Sequence, residues 1–97
     1  MEKIKVDRVI VVEGKYDKIK LSEIVDGIII TTNGFEIFTN KEKQKLIRTL
    51  AKKSGIIVLT DSDIAGFRIR RFINSIVDVD MIFHAYIPDV VGKERRK

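Results

Sequence analysis

Three carboxylates stand out by position. Glu13 closes the apolar run "RVIVV" (residues 8–12) and is followed by Gly14. Asp61 and Asp63 close a second run, "GIIVLT" (residues 55–60), and Gly66 follows them. An acid at the end of a strand that reads as buried is costly to desolvate unless a charge answers it. Residues two apart in extended chain point the same way, so Asp61 and Asp63 can share one target. Three converging acids raise each other's pKa. A hard divalent cation removes the conflict. Mg²⁺ takes carboxylate oxygens, keeps several waters and completes its shell with phosphate.

For the acids to converge, the elements carrying them must be neighbours. The runs at 8–12, 27–32 and 55–60 are continuous and β-branched, as in strands covered on both faces, and "DMIFHAYI" (80–87) reads as a fourth strand closed by Pro88. Between the first two, "KYDKIKLSEIVD" places Tyr16, Ile19, Ile24 and Val25 roughly on one helical face. Thr39 and Glu42 have capping-box spacing, ahead of a stripe of Leu46, Ile47, Leu50 and Ala51 that Gly55 ends. A third helix, residues 64–77, carries Ala65, Ile69, Phe72, Ile73 and Ile76, with Arg68 and Arg71 off that stripe. The order β-α-β-α-β-α-β predicts a layered α/β domain with a largely parallel, four-stranded sheet. Ligands of such sheets bind outside the carboxyl ends of the strands, where all three acids fall.

The surrounding residues suit an anion. Gly14 and Gly66 let a backbone or phosphate approach, and helices starting after Glu13 and Asp63 aim their N-terminal amides at the site. Lys15, Arg68 and Arg71 are candidate phosphate contacts, and Asn33-Gly34 marks a turn at the same edge. Each also has a plainer role. Asp63 suits a helix N-cap, Asp17 a first-turn acid, and Arg68, Arg70 and Arg71 a solvated face. Tyr16 and Tyr86 suit packing, and His84 a core or edge position.

The chain has 97 residues, enough for one small domain, with 44% hydrophobic and 34% charged residues, a globular balance. It lacks cysteine, which excludes a disulfide framework and a Cys-based zinc site. No apolar run approaches a membrane span and the start, "MEKIKVDR", lacks a signal-peptide core, so the expected setting is cytoplasmic, without a membrane partner. The net charge of +5 points to a polyanionic partner. The tail "GKERRK" (92–97) reads as a frayed end or an extra phosphate contact.

"VVEGKYD", followed some forty residues later by "VLTDSDIAG", resembles the Toprim domain of topoisomerases, bacterial primases, certain nucleases and small stand-alone proteins. The match runs over residues 6 to 88, leaving 89–97 as a basic tail. The resemblance implies a three-layer α/β/α, Rossmann-like fold. It also implies Mg²⁺-dependent phosphodiester chemistry, with one or two ions and Mn²⁺ as a substitute. Glu13 would be the general acid/base. Asp61 and Asp63 would be metal ligands, with Glu13 sharing a metal. Within the group, "TNG", "GIIVLTDSDIAGFRIR" and "HAYIP" are most similar to ribonuclease M-five, the 5S ribosomal RNA maturases. That implies an endoribonuclease with RNA, and a ribosomal protein, as partners.

The departures narrow the choice. Ala65 stands where type II topoisomerases carry a third aspartate, and a primase's cysteine-bearing zinc module is missing. The maturases have a second region of similar size, so the chain reads as a stand-alone Toprim protein or an N-terminal fragment. Two other classes stay open: an aspartate-nucleophile phosphatase using Asp61, and a non-catalytic nucleic-acid-binding or ribosome-assembly module.

Overall fold

The computed structural model describes residues 2–87. Its main sheet has four strands: β2 (Val9–Val12), β4 (Ile29–Thr31), β5 (Ile56–Thr60) and β6 (Ile82–Tyr86). They lie in the order β4-β2-β5-β6 and every pairing is parallel. Two-residue strands β1 (Ile4–Lys5) and β3 (Val25–Asp26) form a separate parallel pair. The helices are α1 (Lys15–Ser22), α2 (Lys41–Ser54) and α3 (Ile64–Ile76).

The two faces of the sheet feed two cores. Val9, Val11, Ile30, Ile56 and Val58 pack with Ile47 and Ala51 of α2 and with Ile69 and Ile73 of α3. Ile10, Val12 and Ile29 face the other way, toward Val25 and Leu21. Alternation along a strand thus serves two apolar layers, which is why these runs show no polar face. Full burial of each such side chain contributes roughly 1.5–3 kcal/mol.

Several expectations are corrected. The first helix stops at Ser22, and Val25–Asp26 pairs with Ile4–Lys5 instead of continuing it. Tyr16, read as a packing residue, is 79% exposed, whereas Tyr86 packs against Arg70 and Phe67 while 48% exposed. Thr39 and Glu42 do not cap α2. Thr39 ends a 3₁₀ turn (Gly34–Phe38), and Asn40 is the cap, its side chain accepting from Lys43 N–H at 2.9 Å. A second 3₁₀ turn (Val79–Met81) shortens the last strand at its start. Pro88 and the basic tail, with Lys93, Arg95, Arg96 and Lys97, lie outside the described residues.

Candidate active site

β2 and β5 are adjacent and in register, with Val12 beside Leu59. The register continues to set Glu13 beside Thr60, with Asp61 one residue further along at the same carboxyl edge. The Glu13 carbonyl accepts from Gly34 N–H at 3.1 Å and from Thr32 Oγ1 at 3.3 Å, which ties the residue to the end of β4. Asp63 is the N-cap of α3, with Oδ1 accepting from Gly66 N–H at 2.7 Å. It thus caps the helix and stands at the edge with the other two acids.

Electrostatics agrees with this convergence. Burial raises the Glu13 carboxyl above the usual value, and Asp63, Asp61 and Asp17 push it further in that order, while Arg70 opposes them. Asp17 also accepts from Gly14 N–H at 3.2 Å, as a first-turn acid should. Among the described residues no three Asp, Glu or His side chains form a ready-made metal shell. The acids sit within mutual repulsion but not within one shell. A donor set made only of carboxylates fits a hard ion held by one or two of them, with water and substrate phosphate supplying the rest.

Beside Glu13 lies an open cleft of about 420 Å³, lined by Glu13, Gly14, Asp17, Gly34, Phe35, Ala65 and Ile69. Two glycines bracket the acids and differ in what requires them. A Cβ on Gly66 would stand 2.4 Å from the Asp61 carbonyl and 2.7 Å from Thr60 Oγ1, so internal packing demands glycine. A Cβ on Gly14 would meet only Asp17 Oδ2, at 3.9 Å, and the backbone there is ordinary extended chain. Gly14 itself lines the cleft.

The other candidates are spread around this edge. Lys15 opens α1 and is exposed. Arg68 holds its guanidinium 5.1 Å from the Phe35 ring centroid, and Arg71 is exposed one turn further on. Asn33 and Gly34 each donate one hydrogen bond within the chain. The Asn33 amide donates to Glu36 Oε1 at 2.8 Å and accepts from Thr31 Oγ1 at 2.9 Å, while Gly34 N–H goes to Glu13. Both have positive φ, which shapes the turn at this edge.

Two residues of the site went unrecognised in the sequence. Arg70, read with Arg68 and Arg71 as solvated, is 4% exposed. It donates to Thr60 Oγ1 at 3.0 Å, the Val58 carbonyl at 3.1 Å and the Ala85 carbonyl, contacts His84 Nδ1 at 2.7 Å, and stacks on Tyr86. Burial lowers its pKa, and Tyr86 and Glu13 offset this. Its position directly after the stripe residue Ile69 is a signal, but a weak one. Phe35, 47% exposed over the cleft, gave no pattern at all.

Parallel β-strands ending in converging acids, with a glycine beside them, define a Toprim-type site. A family model of the Toprim domain matches residues 8–92, and the chain belongs to this family. It is similar to proteins named Ribonuclease M5. One from Mycoplasma pneumoniae is 41% identical over 76 residues, covering 78% of this chain and 42% of the relative. One from Clostridium botulinum is 41% identical, covering 90% and 46%. One from Lactiplantibacillus plantarum is 42% identical, covering 95% and 46%. The chain therefore spans about half the length of the curated relatives it matches.

Proposed function

We propose that the chain carries the metal-dependent catalytic site of an endoribonuclease, acting on a phosphodiester of 5S ribosomal RNA precursor. The observation that carries this reading is the adjacency of β2 and β5, which brings Glu13, Asp61 and Asp63 to one edge of the sheet, with Glu13 lining an open cleft. Likeness to Ribonuclease M5 over most of the chain supports it. Glu13, its carboxyl raised by burial and by neighbouring acids, suits a role in proton transfer. Asp61 and Asp63 are the proposed metal ligands, with Glu13 able to share one. Mg²⁺, or Mn²⁺ in its place, would supply neutralisation of charge on the attacking and leaving oxygens. Lys15, Arg68 and Arg71 would draw phosphate to an edge that is itself negative.

No helix among the described residues is long and apolar enough to cross a membrane. A cytoplasmic setting, and a ribosomal protein as accessory partner, belong to this proposal. A binding module without turnover is the second reading, favoured by the absence of a three-ligand cluster among the described residues. Incubation with 5S ribosomal RNA precursor and Mg²⁺, against an EDTA control, separates the two. Discrete Mg²⁺-dependent products support the nuclease, whereas binding without cleavage supports the module.

A further inference from the structure

Helix α2 carries Lys41, Lys43, Lys45, Arg48, Lys52 and Lys53 against a single acid, Glu42. With six cations against one acid, α2 carries a net +5, equal to that of the whole chain. At 3.6 residues per turn, Lys41, Lys45, Arg48 and Lys52 fall within a sector about 60° wide and about 16 Å long. All four are exposed, and Ile47 and Ala51 hold the helix to the core from another side.

An ordinary solvated helix face intersperses both signs, and like charges three or four apart destabilise a helix. Here the stripe has no acid to answer it from within α2 apart from Glu42. Both ends of the stripe meet other features. At the start, Lys43 Nζ donates to the Thr31 carbonyl at 2.7 Å, which anchors α2 at the edge where the acids stand. At the far end, Lys52 and Lys53 line a cleft of about 350 Å³ with Arg8 and Phe83, the Arg8 guanidinium lying 4.7 Å from the Phe83 ring centroid. A positive track thus runs from the acidic edge along α2 to the opposite edge of the sheet.

We infer that α2 is the surface that grips the RNA backbone, with Lys41, Lys45, Arg48 and Lys52 on successive phosphates and Arg8 and Lys53 extending the contact. This deepens the nuclease reading and rests on it for the choice of RNA as the polyanion. The grip is indifferent to base sequence, because phosphate contacts position a strand without reading it.

The test measures binding alone, in the Glu13→Gln chain so that no cleavage intervenes, with a fluorescein-labelled double-stranded RNA as probe. The double variant Lys45→Ala/Arg48→Ala should weaken binding for all RNA sequences alike and reduce the log–log salt slope by about two units. Lys3→Ala/Lys5→Ala, which removes the same charge near the small β1–β3 sheet, should leave the slope unchanged. Equal losses in both variants, or none in either, would overturn the inference and return the stripe to a solvated or protein-facing surface. Binding through α2 in these variants, with no cleavage of 5S ribosomal RNA precursor by the parent chain in Mg²⁺, would overturn the nuclease reading while sustaining this one.

Discussion

Arg70 and Thr60 are joined by a 3.0 Å hydrogen bond from Nε to Oγ1, although the two residues are only 4% and 2% exposed. The Thr60 hydroxyl in turn donates to the Asp61 carbonyl at 3.0 Å. A buried cation on α3 is thereby linked to the backbone of a candidate metal ligand, and the same guanidinium reaches the carbonyls of Val58 and Ala85 on β5 and β6.

Arg70→Met should therefore cost stability. It leaves buried acceptors without a donor, a loss of about 1–3 kcal/mol each where no other donor serves them. Arg70→Lys should recover little, since an ammonium cannot reproduce the planar fork. Urea unfolding with an unchanged m value reads the effect. A midpoint equal to the parent's in both variants would mean that the network contributes nothing.

The two glycines at the site should respond in different ways. Gly66→Ala forces a Cβ onto the Asp61 carbonyl and should lower the thermal midpoint. Gly14→Ala should cost only about 1 kcal/mol, from the poorer N-cap that alanine makes at the start of α1, because no internal atom is crowded. It should still impair RNA turnover, because Gly14 lines the cleft. Intact turnover in Gly14→Ala would show that this part of the cleft has no role in substrate binding.

Glu13 should make the metal-free chain less stable as pH rises. Its folded pKa lies above the ordinary 4.5, so its contribution is favourable below that value and is lost as pH climbs through the raised one. Glu13→Gln should thus match the parent at low pH and exceed it toward neutrality, read by denaturation in EDTA. His84 has the opposite sign. Burial and Arg70 lower its pKa, so its contribution is present above 6.5 and lost as pH falls.

Mg²⁺ held at this edge would relieve the same repulsion in the native state, so millimolar Mg²⁺ should raise the thermal midpoint of the parent. Asp61→Asn should shrink that gain. A parent midpoint indifferent to Mg²⁺ would count against a metal site at this edge.

Much of this was legible because it depends on local pattern. Unbroken β-branched runs marked Val9–Val12 and Ile56–Thr60 as strands buried on both faces, and the acids closing them marked the edge. Asp63 was readable as a cap from its place before an amphipathic run. What escaped depends on distant partners. Arg70 is buried because carbonyls on β5 and β6 receive it, and nothing next to it in the chain announces them. Two-residue pairing of Ile4–Lys5 with Val25–Asp26 is too short to show a period. Thr39 lost its capping role to Asn40 because the preceding 3₁₀ turn already uses it. The basic stripe on α2 escaped as well, because the helical period collects cations that look scattered in the sequence.

The central claim is that Glu13, beside Asp61 and Asp63, handles a proton in RNA cleavage. Glu13→Gln preserves size and most hydrogen bonding but removes the titrating group. With 5S ribosomal RNA precursor and saturating Mg²⁺, single-turnover cleavage should fall by roughly 10²- to 10⁴-fold, while RNA affinity changes little. Cleavage at the parent rate by the glutamine variant would contradict the claim outright.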